Sequence, residues 1–240
     1  MDMNRSNINN LTNLWVTGGI SGGYFFTNEE YSVSMVHGAD WPNKIWFGRA
    51  PDKRMMDTIA RKWDLQNVTV VAWGDELPET ENLLKEYGFT SKVALTGMSM
   101  RLDTVPEPLG KLRIEKVDDN EKAGEWSALF QKAFGYCIHA ATVQQTMNKI
   151  DYFIGRVDGN AVGTAALFID NTGIAGIHSM GVVPGYRRMG YAEELLLHTL
   201  NTARLRGANY ATLQASAMGE GLYLKTGFRE DFKLKNFVKK

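Results

Sequence analysis

Along the chain, stretches with apolar residues at every second position alternate with stretches in which they recur every third or fourth, the mark of strands exchanging with helices. Residues 1–15 are Asn-rich and weakly helical, and the glycines that follow, Gly18, Gly19, Gly22 and Gly23, predict a flexible turn. Tyr24–Val36 and Lys44–Arg49 read as strands, and Asp52–Trp63 places Met55, Met56, Ile59 and Trp63 on one helical stripe. Val68–Trp73 is a short buried strand, and Glu79–Tyr87 a helix stopped at Gly88. Asp103–Gly110 holds two of the six prolines and no period, so it reads as a linker. Beyond it, Leu112–Val117 alternates as a strand, and Asp118 or Asp119 can cap a helix carrying Trp126, Leu129, Phe130 and Ala133. Ala140–Ile150 is a second helix, Asp151–Val157 and Ala161–Ile169 form a hairpin across Asp158-Gly159-Asn160, and Ile174–Val183 is the next strand. A helix burying Ala192, Leu195, Leu196, Leu200 and Ala203 ends at Gly207, and Tyr210–Ser216 follows as a strand. This alternation predicts an α/β (α+β layered) fold.

The balance of charge narrows the partners. Lys and Arg number 27 against 27 Asp and Glu, with no basic block, which argues against nucleic acid and anionic membranes. A single cysteine, Cys137, excludes an intrachain disulfide framework and suits a reducing compartment. With a polar N-terminus and no apolar run of spanning length, the expectation is a cytoplasmic protein. No His/Cys/Asp cluster has metal-ligand spacing, so no metal is expected; the glycines near residue 20 lack the preceding strand and the Lys-Ser/Thr ending of a phosphate loop.

The chemistry concentrates at Met180–Ala192, a buried strand that runs through a glycine-bearing loop into a helix start. The first N–H groups of a helix have no internal acceptor and carry the positive end of its dipole, so such a junction holds phosphate. Gly190 and small Ala192 let that phosphate approach the backbone. The pattern Arg187-x-x-Gly190-x-Ala192, just after Val182-x-Pro184, resembles the acetyl-CoA signature of the GNAT superfamily of N-acetyltransferases. Downstream, Leu222-Tyr223-x-x-x-Gly227-Phe228 resembles a second segment of that family, at the family's distance.

The resemblance implies a GNAT fold, a central mixed and mostly antiparallel sheet flanked by helices, over residues 111–240. It implies acetyl-CoA as co-substrate, with Met180, Val182, Val183, Arg187, Arg188, Met189, Gly190, Tyr191, Ala192 and Ser216 as binding residues. Tyr223 would protonate or stabilise the leaving thiolate, and its alternative is a packing role. The family's usual strand carboxylate falls near Gly176 and is missing; His178, two residues on, is the candidate base, with a hydrogen-bonded strand histidine as the alternative. For the side chains of Arg187 and Arg188 the alternative is a solvated helix start, and His139 beside Tyr136 and Cys137 is a weaker candidate for the acceptor pocket.

Leu83–Phe89 matches Leu222–Phe228 at a fixed offset, residue 89 standing for 228. This predicts a smaller N-terminal α/β GNAT-like domain over 1–105, a linker at 106–110 and a catalytic domain over 111–240. The N-terminal unit would be degenerate, since Ala50-Pro51 replaces the anion loop and Leu84 stands at the tyrosine position. The expected function is acetyl transfer to a primary amine of a small molecule or peptide; the alternative is a catalytically weak acyl-CoA-binding regulatory or scaffold protein. A homodimer is among the assemblies this allows.

Overall fold

The computed structural model describes residues 2–239. Its first element corrects the sequence: α1 (Met3–Gly22) is one helix, begun by the Asp2 side chain capping Arg5 N–H and continuing through Gly18 and Gly19. A Cβ on Gly19 would lie 2.2 Å from Ser34 Oγ, and one on Gly18 would lie 2.8 Å from the Trp41 ring. Close packing on the sheet thus outweighs the roughly 1 kcal/mol per residue that glycine costs a helix.

The expected single strand at 24–36 is a hairpin, β1 (Tyr24–Thr27) and β2 (Tyr31–Met35), because the Asn28 side chain accepts the N–H groups of Glu30 and Tyr31 and turns the chain. After it come β3 (Lys44–Phe47), α2 (Lys53–Lys62), β4 (Thr69–Trp73), α3 (Leu77–Glu86) and β5 (Phe89–Arg101). The second half supplies β6 (Arg113–Lys116), α4 (Asn120–Phe134), α5 (Ala140–Thr146), β7 (Asp151–Val157), β8 (Asn160–Ile169) and β9 (Ile174–Val182). It ends with α6 (Tyr191–Leu205), β10 (Tyr210–Ala215), α7 (Glu220–Thr226) and β11 (Arg229–Lys239). Of the two possible caps of α4, Asp119 does the work, accepting Lys122 N–H at 2.8 Å.

All eleven strands form one sheet in the order β1-β2-β3-β4-β11-β5-β10-β9-β8-β7-β6. Only β3 with β4 and β9 with β10 run parallel, so the sheet is mixed and mostly antiparallel, as expected. The two halves repeat one scheme, an antiparallel run leading to a parallel pair joined through a helix, and then exchange their last strands. β11 lies between β4 and β5, while β5 lies between β11 and β10. The 106–110 boundary is therefore a boundary in sequence, and hydrogen bonding crosses it. One apolar core lies under α6, a second joins α1 and α4 through Trp15, Trp126 and Phe130, and a third lies under α2 and α3.

One irregularity opens the site. Between the pairs Thr164↔Gly181 and Ala166↔His178, β9 carries one more residue than β8, a bulge in which Ser179 sits at φ 50°. Thr164 Oγ1 donates to the Ser179 carbonyl at 2.9 Å and holds it. Parallel pairing of β9 with β10 covers only Ile174–Gly176 against Tyr210–Thr212, although both strands run on. The backbone from His178 to Val182 is thus left with an open side.

Candidate active site

At the end of β9 the chain makes a short 3-10 turn, Pro184–Tyr186, and enters α6 with Arg188 at φ 64° and Gly190 at φ 85°. Gly190 is the N-cap and contributes no side-chain cap. Among the described residues, the N–H groups of Arg188 through Glu193 have no acceptor. Six free N–H groups at the positive end of a helix dipole make a cradle of the kind that can hold an anion.

A cation that the sequence did not single out stands over this cradle. A Cβ at Gly190 would lie 2.7 Å from Lys111 Nζ. Lys111 is placed there by Glu194, a buried carboxylate one turn into α6 that accepts the N–H groups of Leu109 at 2.6 Å and Lys111 at 3.0 Å. The linker is thereby tied to the helix that bears the cradle. The one available signal was a lysine directly after the linker glycine Gly110, which is weak without the fold.

The expected residues divide. Met180, Val182, Arg187, Arg188, Gly190, Tyr191, Ala192, Ser216, His178 and Tyr223 all line one cleft of about 2350 Å³. Val183 does not: it packs toward the α1–α4 core and donates its N–H to Val162 O, because a strand sends alternate residues to opposite sides. That same alternation turns the N–H of Val182 to the open side. Met189 is 52% exposed and lies off the cleft wall, leaving only its backbone to the cradle. Arg187 is a brace rather than free charge, donating through Nε to Val182 O and through Nη2 to Ala133 O, both at 3.0 Å.

A protein-family model, described as the acetyltransferase (GNAT) family, matches residues 121–228, which span α4 to α7 and contain both the cradle and the opened strand. The segment 121–228 belongs to the acetyltransferase (GNAT) family. No curated protein matches the chain. Solved structures share its fold at low identity. A GCN5-related N-acetyltransferase from Kribbella flavida is 16% identical, with a TM-score of 0.68 over 95% of this chain and 94% of its own. One from Sphaerobacter thermophilus is 16% identical, with a TM-score of 0.63 over 88% and 76%. A putative GNAT-family acetyltransferase from Novosphingobium aromaticivorans is also 16% identical, with a TM-score of 0.59 over 94% and 96%. The first and third span both halves, so the fused sheet is a shared architecture.

The family supports acyl transfer in general terms, and the remaining candidate residues can be placed against that chemistry. Tyr223, on α7, is 9% exposed, and its ring meets Phe228 edge-on at 5.8 Å. Its hydroxyl has no protein partner among the described residues, and burial pushes its pKa up to about 12. The ring is packed while the hydroxyl is uncommitted.

His178 does not suit the base expected of it. It is buried, its Nε2 is 3.1 Å from Asn10 Oδ1 on α1, and burial lowers its pKa to about 4. Asn10 is fixed in turn, its Nδ2 donating to Phe168 O, Ile174 O and Asp170 Oδ2. This pair also explains Gly176: a Cβ there would lie 1.8 Å from Asn10 Oδ1 and 2.2 Å from His178 Nε2. The place of the family's carboxylate is filled by an asparagine from the N-terminal helix. His178 is a neutral strut joining α1 to β9, and Asn10 is a site residue that sequence could not have paired with a histidine 168 positions away.

Since the folded pKa of His178 is depressed, the unfolded chain binds a proton near pH 6.5 that the native chain refuses until about 4. Stability from this group is fully present above pH 6.5 and lost as pH falls toward 4, by about 3 kcal/mol at the limit. Denaturant unfolding of wild type and His178→Gln at pH 7 and pH 4.5 should show a smaller acid loss in the variant. Equal losses would place the acid sensitivity elsewhere.

Among the described residues the N-terminal half has no comparable cradle. Asp52 caps α2, its Oδ1 accepting Met55 N–H at 2.8 Å, and Arg49 bridges Asp52 and Glu30. A carboxylate already occupies the place a phosphate would take. Among the described residues no helix is long and apolar enough to cross a membrane, and no group of three or more His, Cys, Asp or Glu side chains is placed to hold a metal.

Proposed function

We propose that the protein is an acetyl-CoA-dependent N-acetyltransferase acting on a primary amine by direct attack in a ternary complex. The observation that carries this reading is the continuity of one cleft. It begins at the uncapped start of α6, passes the unpaired edge of β9, and extends along α1 onto the face of the N-terminal half, where Trp15, Trp41 and Asn236 line it. One co-substrate can lie along α6 and β9 while the other arrives from the opposite end.

In this reading the cradle N–H groups, Lys111 and Arg188 hold the diphosphate. The open edge of β9 receives the pantetheine arm as an added strand, and an N–H on that edge, such as that of Val182, stabilises the oxyanion formed as the amine nitrogen bonds to the thioester carbon. When the C–S bond breaks, Tyr223 donates its hydroxyl to the departing sulfur. A phenol with a pKa near 12 is a weaker acid than a thiol of pKa about 8.5, so it stabilises the thiolate by hydrogen bonding and water returns the proton. The amine must lose a proton to react, and with His178 neutral and weakly basic this proton passes to water in the cleft. The N-terminal unit, a degenerate GNAT-like repeat in this account, supplies acceptor-binding surface and no second cofactor site.

The filled carboxylate position at Gly176 favours a second reading, an acyl-CoA-binding protein without useful turnover. Thiol release from acetyl-CoA measured with a pooled panel of primary amines separates the two. Acceptor-dependent release is expected; acetyl-CoA binding with no release above background would select the second reading.

A further inference from the structure

The end of the cleft away from the cradle carries charge that the protein does not neutralise. Lys44 opens β3, is half-buried and lines the cleft, with its Nζ 6.0 Å above the Trp15 ring. Lys92, on β5, lines the same end. Among the described residues neither ammonium has a hydrogen bond or a carboxylate within 4.0 Å, whereas Lys53, Lys116, Lys122 and Lys235 are all paired. Burial, and then the repulsion of Lys92, lower the Lys44 pKa to about 8.

The acids at this end are already in use. Asp40 Oδ2 accepts Cys137 N–H at 2.9 Å, and Asp64 accepts Gln66 N–H through Oδ1 and Asn67 Nδ2 through Oδ2. A half-buried ammonium without a partner is costly, and the exposed Lys92 beside it adds repulsion, unless an anion comes between them. The distance to the reaction region is set by α1. Asn10 touches His178 and Trp15 lies beneath Lys44, five residues or about 7.5 Å further along the helix axis.

Resting on the acetyl-transfer reading, we propose that Lys44 and Lys92 form an anion subsite, so that the acceptor is a small primary amine carrying a carboxylate or phosphate a few bonds from its nitrogen. The aromatic and aliphatic wall of α1, Leu11, Leu14 and Trp15, packs the chain between the two groups. The anion fixes the amine at the opening of β9 and offsets the cost of holding the half-buried Lys44 ammonium beside the exposed Lys92. A neutral amine of equal length lacks that anchor.

The test uses the full-length chain and amines paired by the presence of an anion: 6-aminohexanoate against hexylamine for carboxylate, and O-phosphoethanolamine against ethanolamine for phosphate. Transfer from acetyl-CoA is read as kcat/KM, and binding of each amine by calorimetry. In wild type the anionic member of at least one pair should be preferred tenfold or more, and the pair that shows it names the anion. Lys44→Met should reduce that preference to near unity and Lys44→Arg should restore part of it, with acetyl-CoA affinity as the control for folding. Anionic amines that bind in a Lys44-dependent way without being acetylated would uphold the subsite and overturn acetyl transfer. Transfer with no preference for the anionic members, or a preference that survives Lys44→Met, would overturn the subsite and leave acetyl transfer standing. No binding of either anionic amine would overturn it as well.

Discussion

Replacing Gly190 by Asn should weaken acetyl-CoA binding tenfold or more, about 1.4 kcal/mol at the least, in a protein that still folds. Gly190 sits at φ 85°, where a branched residue would be strained by roughly 1–2 kcal/mol and a loss of binding could not be told from a loss of structure. Asn is among the non-glycine residues that best tolerate the left-handed region. Its side chain would rise into the space now reached by Lys111 Nζ, 2.7 Å from the Cβ position, and so into the cradle itself. Calorimetry on a folded Gly190→Asn protein measures the effect. Unchanged affinity would move the diphosphate away from this helix start.

Tyr223→Phe should lower kcat by about 10²-fold while leaving folding and acetyl-CoA affinity near wild type. The ring does the packing, since it lies against Phe228, and Phe keeps it. The hydroxyl is what changes, and it has no protein partner to lose. A role in packing therefore predicts almost no effect, and a role at the leaving sulfur predicts a large effect confined to turnover. Single-turnover measurement, in which the chemical step is observed, gives the answer. Undiminished kcat there would return Tyr223 to a structural role.

The parts of this molecule legible in its sequence are those whose causes are local. The Asp119 cap, the helix ends at Gly88 and Gly207, and the hairpin at Asp158-Gly159 follow from side chains within a few residues of the feature they set. The cradle was legible for the same reason, since it is made by backbone and by the missing side chain of one glycine. What stayed hidden depends on partners far apart in sequence. Three of the four glycines read as a turn, Gly18, Gly19 and Gly22, became helix, with Ser34 and Trp41 lying against two of them. The exchange of β5 and β11 is a choice of strand neighbours that no local pattern encodes. His178 read as a base because its partner, Asn10, sits in an Asn-rich stretch with nothing to mark one amide from the next. Lys44 fell within a predicted strand, and only the fold places it on the cleft wall.

The central claim is that acetyl-CoA lies across the C-terminal junction alone, with its arm along the open edge of β9. Amide hydrogen exchange of the full-length chain, with and without acetyl-CoA, tests it most directly. The account predicts slowed exchange at residues 178–195, where the strand edge and the cradle N–H groups lie, and no change at residues 49–56, where Asp52 already caps the corresponding helix. Protection at 49–56, or binding that leaves 178–195 exchanging at its unliganded rate, would contradict it.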